Sequence, residues 1–451
     1  MKISIIGAGY VGLVTGVCLA HTGHDVICVD KLEERITMIN NKQTPIYEPG
    51  LDELLKQVFD RGKFVATQDT KWAINNSDVT IVAIGTPYGE KGIDLSYIEE
   101  ASKEIGLVLK EKRSYHVVCI KSTVVPTTTD SYIANIIEQF SGKLVGDFGL
   151  CVNPEFLREG SAIEDFMNPD RIVIGANDDK SFTVMKELYD GFKDTPILRT
   201  NLRTAEMVKY TMNSLLVLLI SFSNEIANVC EAIGNVDVKE VLTGVNLDGR
   251  LNPKIDSALV NPVILSYLAA GCGFGGSCLP KDIKSLIAFS ERTGYVPEMI
   301  KAAIKVNEVQ AIKLVKRIER EIGDLSNKKI VVLGLAFKPE TDDIRESPSI
   351  KIIELLVKNN TRVSACDPVA IENAKKLKLL DVEYTRDYRD ALKDADGCIL
   401  VTKWHEYENI RPEEFKHLMK TPLVFDGRRV YDKESFKRSG VTYFGVGLVE
   451  K

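Results

Sequence analysis

Ile3-Ser4-Ile5-Ile6-Gly7-Ala8-Gly9-Tyr10-Val11-Gly12 follows directly on Met1 and Lys2, and its reading decides the fold. Residues 3–6 read as a buried strand and 11–22 as a helix. The three glycines between them form a Gly-x-Gly-x-x-Gly pattern. Gly7 makes the tight turn, Gly9 leaves room for a pyrophosphate, and Gly12 lets the helix pack close to the strand. The helix start offers N–H groups and a positive dipole end to phosphate. A second strand, 26–29, runs into Asp30, about 20 residues on, where a carboxylate can accept from ribose hydroxyls. Strand, fingerprint, helix, strand and acid in this order imply a dinucleotide site built from Gly7, Gly9, Tyr10, Val11, Gly12 and Asp30. Asp30 favours NAD, because its charge repels the 2′-phosphate of NADP. Arg35 either holds such a phosphate or is a solvated helix residue.

Outward from this unit the alternation continues. Apolar runs at 79–84, 117–120, 150–152 and 172–174 read as buried parallel strands, with helices such as 51–61 between them. A doubly wound domain is expected to end near residue 192. Residues 203–232 are helical throughout, without proline or glycine, which gives a helix about 45 Å long. Helices at 238–242, 281–293 and 297–322 follow, interrupted by a glycine-rich segment at 271–276. Strands resume at 330–333, 362–365, 397–401 and 423–425, with a helix at 348–358. The expected fold is α/β. Two Rossmann-like doubly wound domains, 1–195 and 323–451, are joined by a long central helix and helical hub, 196–322. The strand at 330–334 lacks a full glycine fingerprint, which suits a mononucleotide better than a second dinucleotide.

Composition sets outer limits. The 451 residues correspond to two or three domains at about 100–200 residues each. With 58 Lys plus Arg against 64 Asp plus Glu, the net charge is -6, so no basic footprint for nucleic acid is present. Nine cysteines, none in Cys-x-x-Cys spacing, argue against a disulfide scaffold, a metal site or a redox pair. Mostly reduced thiols in a cytoplasm are expected, one of them available as a nucleophile. The N-terminus enters a strand without a charged leader. The longest apolar run, 215–220, is well short of the ~20 residues of a membrane span. A buried helix and no membrane partner are therefore expected.

Gly273-Phe274-Gly275-Gly276-Ser277-Cys278-Leu279-Pro280-Lys281-Asp282 carries the most chemistry. Its glycines let the backbone approach a ligand. Cys278 stands just before a helix, where a thiol can be partly thiolate. Lys281 and Asp282 add charges of both signs. On these residues alone Cys278 is a nucleophile, a buried structural thiol, or half of a Cys272–Cys278 disulfide. Glu206, Lys209 and Asn213 share one helix face. The Lys–Asn pair either stabilises an oxyanion or lies on a solvated face. Glu155, in Asn153-Pro154-Glu155-Phe156-Leu157-Arg158-Glu159-Gly160, is a general base or a salt-bridged loop acid. Gly85-Thr86-Pro87 and Lys121-Ser122-Thr123 stand at strand ends, as ligand contacts or as helix caps.

Together these stretches, with 334–338 and Arg345-Glu346-Ser347, resemble the UDP-glucose/GDP-mannose dehydrogenase family nearly end to end. The resemblance implies NAD-dependent, four-electron oxidation of a nucleotide sugar at C6, through a thiohemiacetal and a thioester on Cys278. UDP-glucose is the favoured substrate, with GDP-mannose or a UDP-N-acetylhexosamine as alternatives. It implies Glu155 as the hydrolytic base, Lys209 and Asn213 as oxyanion stabilisers, and Asp282 with Thr123 placing water and protons. Further cofactor contacts would be Thr86, Lys281 and Arg345. The sugar nucleotide would meet Phe156, Leu157, Tyr267, Phe274, Gly275, Phe337, Lys338 and Arg428, with Arg250 reaching a neighbouring subunit's substrate. A homodimer or higher oligomer through the central helix, serving polysaccharide synthesis in the cytoplasm, is also implied.

This chain departs from the family pattern in a longer 250–271 segment and in Ala269, where some members are basic. Leu13-Val14 and the run from Gly89-Glu90-Lys91-Gly92 to Asp94-Leu95-Ser96-Tyr97 look UDP-glucose-like. Two rival readings are a two-electron 3-hydroxyacid dehydrogenase, which needs no Cys278, and a non-catalytic NAD-binding module.

Overall fold

Eight strands build the first sheet: β1 (Lys2–Ile6), β2 (Asp25–Val29), β3 (Phe64–Thr67), β4 (Val79–Val82), β5 (Val117–Ile120), β6 (Gly149–Val152), β7 (Ile172–Ala176) and β8 (Ile197–Thr200). Their spatial order is β8-β7-β6-β5-β4-β1-β2-β3. This computed structural model describes residues 1–89, 92–256, 258–379 and 381–449. The chain divides into two units, Met1–Met212 with Lys284–Thr293, and Asn213–Ile283 with Gly294–Lys451.

In the first unit, β1 pairs in parallel with both β2 and β4, Ile6 lying opposite Val29 on one side and Val82 on the other. The order 3-2-1-4-5-6 reverses at β1, and ligands of such sheets bind outside the strand ends at that reversal. Helices cover both faces, so β1, β4 and β5 are buried along almost their whole length and read as unbroken apolar runs. Helix Tyr10–His21 is buried from Gly12 to Ala20 and shares a core with Ile3, Ile5 and Ile81.

The strand at 172–174 was expected to be parallel and is not. β7 runs antiparallel to β6, with Cys151 opposite Ala176. An apolar run reports burial on two faces and carries no information on direction. Beyond residue 192 the sheet adds β8, parallel to β7. Neither β3 nor β8 was visible in the sequence. β3 alternates buried Phe64 with exposed Val65, and β8 is an edge strand with no fully buried residue.

The second unit repeats the plan. Strands β9 (Lys329–Leu333), β10 (Arg362–Cys366), β11 (Val382–Thr385), β12 (Gly397–Leu400), β13 (Leu423–Asp426) and β14 (Thr442–Gly445) lie in the order β11-β10-β9-β12-β13-β14. All pairs are parallel, again 3-2-1-4-5-6. The unread strands β11 and β14 are the partly exposed edges.

Helix Leu202–Ile233 has 32 residues and ends at Gly234, whose φ of +75° only glycine adopts readily. By length and composition it is the one described helix able to cross a membrane. Its Glu206, Lys209, Asn213, Ser221, Ser223 and Asn224 are nevertheless buried in the protein. It is not wholly buried, as the sequence had implied. Leu215, Phe222 and Val229, seven residues apart, are 45%, 51% and 49% exposed on one stripe. The longer 250–271 segment forms a two-stranded hairpin, Lys254–Ile255 with Ala258–Leu259, and a short 3-10 turn, Val263–Tyr267.

Candidate active site

At the first strand end, Gly7 has φ +106°, and a Cβ there would stand 2.6 Å from the Ala83 carbonyl oxygen. A Cβ on Gly12 would lie 1.9 Å from the Gly7 oxygen. At Gly9 nothing lies within 4 Å, so its backbone can be approached closely. Helix Tyr10–His21 starts there with no side-chain cap and no acid in its first turn. Its first N–H groups therefore suit the dinucleotide pyrophosphate. Asp30 closes the turn by accepting from the Ala8 and Leu32 N–H groups at 2.9 and 3.0 Å. The Arg35 guanidinium, partly exposed, pairs with Asp30 at 3.3 Å. Tyr10 donates its hydroxyl to buried Glu48, which also accepts from the Gly160 and Ala162 N–H groups. Glu48 carries no local motif that marks it, because its partners lie far along the chain. Thr86 Oγ1 donates to the Thr123 carbonyl at 2.9 Å, joining two strand ends.

Glu155 and Lys209 form a buried ion pair at 2.8 Å. Burial alone would raise the Glu155 carboxyl. The Lys209 charge and hydrogen bond, the Leu157 N–H at 2.6 Å and the nearby Lys121 charge outweigh it and hold it below the usual carboxylate range. Lys121, also buried, donates to Asn153 Oδ1 at 2.9 Å, and burial pulls its ammonium pKa down. The Lys209 ammonium stands 5.8 Å from the Phe156 ring centre, which Arg171 covers at 3.9 Å. Glu206 takes a separate task. Its two oxygens accept from the Thr127 and Thr129 N–H groups, both at 2.9 Å, and burial pushes its pKa up to about 7. The solvated-face reading fails, because Glu206, Lys209 and Asn213 are all buried.

In the second unit, the Cys278 carbonyl accepts the Asp282 N–H at 2.9 Å and so caps helix Leu279–Arg292. None of the nine cysteines is in a disulfide; eight are buried and Cys278 is exposed. The Cys272–Cys278 bridge is thereby ruled out. Ser277 Oγ lies 3.4 Å from the Cys278 sulfur. Asp282, 1% exposed, accepts from Asn213 Nδ2 at 2.6 Å and from Lys281 Nζ at 2.5 Å. At the end of β10, Asp367 occupies the place that Asp30 has after β2. It is fully buried and accepts from the Leu335, Ala336, Val369 and Ala370 N–H groups and from Trp404 Nε1. A ribose cannot reach it, which argues against a second dinucleotide site.

Residues 1–193 match the NAD binding domain of the UDP-glucose/GDP-mannose dehydrogenase family, 203–309 its central domain and 331–433 its UDP binding domain. The chain belongs to the UDP-glucose/GDP-mannose dehydrogenase family. It is 40% identical over 448 residues to the UDP-glucose 6-dehydrogenase TuaD of Bacillus subtilis, covering 99% of this chain and 93% of that one. It is 40% identical over 449 residues to AglM of Haloferax volcanii, covering 98% and 99%. The UDP-glucose dehydrogenase structure from Pyrobaculum islandicum superposes with a TM-score of 0.89 at 36% identity, covering 99% and 97%. A UDP-D-ManNAc dehydrogenase from Pyrococcus horikoshii gives 0.83 at 29%, covering 99% of each chain. The chain is thus an NAD-dependent dehydrogenase, and the 3-hydroxyacid dehydrogenase and non-catalytic readings are set aside.

Other dehydrogenase positions named from sequence are placed as follows. Phe274 is buried, Tyr267 and Leu157 are half-buried, and Phe337 packs its ring against Gly276. Lys338 Nζ stands 5.9 Å from the Phe337 ring centre. A Cβ on Gly275 would lie 2.3 Å from the Glu346 carbonyl oxygen. Arg345 pairs with Asp343 at 2.8 Å. Arg428 donates its guanidinium to the Val401 and Gly273 backbone carbonyls. Arg250 is 89% exposed and paired with its neighbour Asp248. Glu90 and Lys91, in the stretch that looked UDP-glucose-like, lie outside the described residues.

Proposed function

We propose that the chain oxidises the C6 hydroxymethyl of UDP-glucose to a carboxylate, giving UDP-glucuronate. One observation carries the four-electron reading: the single exposed thiol, Cys278, caps a helix whose Asp282 is wired to Asn213. An aldehyde has no second hydride to lose until a nucleophile has added to it, so a thiol is what separates this reaction from simple alcohol oxidation. The relatives at 40% identity support UDP-glucose as the sugar nucleotide.

Gly7, Gly9, Gly12 and Asp30 hold the cofactor. NAD+ held there would supply the hydride acceptor for both oxidations, two equivalents per sugar. Lys209 and Asn213 stabilise negative charge on the C6 oxygen as it loses its proton. Cys278 Sγ adds to the aldehyde carbon, the C–S bond forms, and the oxygen takes a proton to give a thiohemiacetal. Loss of the second hydride and that proton leaves a thioester. Glu155, held ionised, takes a proton from the attacking water, with Asp282 and Thr123 placing it. The C–S bond then breaks, releasing the acid and returning the thiolate.

The domain roles follow: 1–195 for NAD, 196–322 for association, 323–451 for the nucleotide sugar. The stripe of Leu215, Phe222 and Val229 supports a homodimer through the long helix, because one apolar residue per heptad on an exposed face suits a second helix. Reduced thiols support a cytoplasmic location. The test is turnover with NAD and a panel of UDP-glucose, GDP-mannose and UDP-N-acetylhexosamines, read as NADH absorbance. Two NADH per UDP-glucose are expected. One NADH per sugar, or preference for another sugar nucleotide, overturns the proposal.

A further inference from the structure

We infer that Asn307, on helix Glu298–Ile322, is a positioning residue that locks the loop leading into Cys278 by gripping the Phe274 peptide at both ends. Asn307 Oδ1 accepts the Phe274 N–H at 2.8 Å, and Nδ2 donates to the Phe274 carbonyl at 3.1 Å. A carboxamide thus does here what a neighbouring strand does in a sheet. The grip requires the residue before it. Gly273 has φ +104°, and a Cβ there would lie 2.7 Å from Asn307 Oδ1. Glycine vacates the space the amide fills.

Every other anchor of the loop comes from a different element. The Gly271 N–H donates to Asn224 Oδ1 at 2.8 Å and the Cys272 N–H to the Gly427 carbonyl at 3.0 Å. The Gly273 carbonyl accepts from Arg428 at 3.0 Å, and the Gly276 N–H donates to the Arg345 carbonyl at 2.8 Å. Glycines hold one conformation only when anchored from outside, because each has more backbone freedom to lose than any other residue. Phe274 is the one bulky side chain in the 271–276 run, and Asn307 fixes its backbone. Aspartate in place of Asn307 keeps the acceptor but loses the donor. Glutamine is a methylene too long, and alanine loses both bonds.

The inference deepens the proposed reaction and rests on it for the substrate, while the loop geometry stands apart from it. The experiment compares the full-length chain with Asn307→Ala and Asn307→Asp. With UDP-glucose and NAD, kcat per titratable Cys278 is expected to fall about tenfold or more in Asn307→Ala and by less in Asn307→Asp, because small misplacements of reacting groups are costly in rate. NADH affinity, read by fluorescence, stays at the wild-type value. Wild-type kcat in a folded variant overturns the inference; if Asn307→Ala does not fold, Asn307→Asp decides by the same criterion. If the wild-type chain does not oxidise UDP-glucose, the functional reading has failed but this one remains open to test. Alkylation of Cys278 by iodoacetamide at neutral pH, without substrate, is then expected to slow about threefold or more in the variants as the helix N-terminus loses its aim on the sulfur. An unchanged alkylation rate overturns the inference.

Discussion

The Glu155 carboxylate and the Lys209 ammonium face each other at 2.8 Å with both side chains buried, one on the loop after β6 and the other on the long helix. The Lys209 charge holds the Glu155 carboxyl ionised against its burial. Replacing Lys209 by Met strands a buried carboxylate, and breaking such a pair costs about 3–5 kcal/mol. Lys209→Met is expected to lower the melting temperature and to abolish measurable NADH formation. Lys209→Arg, which keeps the charge, is expected to retain more stability than activity. Calorimetry and the NADH assay on the same preparations decide. A Lys209→Met variant as stable as wild type would mean that the pair contributes nothing net.

Glu206 gives stability the opposite pH sign from Glu155. Its pKa in the folded chain is about 7, above the ~4.3 of an unfolded glutamate. A raised folded pKa means that the favourable contribution is complete below about 4.3 and is lost as pH rises through about 7. Glu155, with its depressed pKa, contributes above the unfolded value and loses that contribution as the solution is acidified. Glu206→Gln is therefore expected to gain on wild type in melting temperature as pH rises from 5 to 8, roughly the window between these pKa values. A pH-independent difference between the two proteins refutes this assignment.

Cys278→Ser is expected to yield no uronic acid, because a serine hydroxyl at neutral pH is a far weaker nucleophile than a thiolate. In the wild-type chain, iodoacetamide is expected to label Cys278 alone, since the other eight thiols are buried. Chromatography of the nucleotide-sugar product checks the first and peptide mass spectrometry the second. Labelling at a second cysteine without denaturant, or uronate from the serine variant, contradicts the proposed thioester route.

Phe222 lies at the middle of the exposed stripe, between Leu215 and Val229. Phe222→Asp is expected to shift sedimentation toward a monomer, because an unpaired charge is costly in an apolar helix seam. Wild-type sedimentation in the variant would place the association surface elsewhere, or show that the chain is monomeric.

The first strand, the glycine turn, the helix after it and Asp30 were determined by twelve residues and one strand end. Each of those signals is local: a turn needs glycine, and a buried strand needs apolar residues next to one another. That Cys278 stands just before a helix was legible for the same reason, although the helix begins at Leu279 and not at 281. Direction and partnership were not. Residues 172–176 look alike whether parallel or antiparallel, and only the sheet makes them antiparallel to β6. One helix face carries Glu206, Lys209 and Asn213, yet the fold sends them to Thr127 and Thr129, to Glu155 and to Asp282. The same holds for Arg428, turned onto the Gly273 carbonyl, and for Asn307, which no local pattern distinguishes from a solvated helix residue. Spacing along a chain fixes which residues share a face. What each meets there is decided by elements many residues away, brought together only when the cores close.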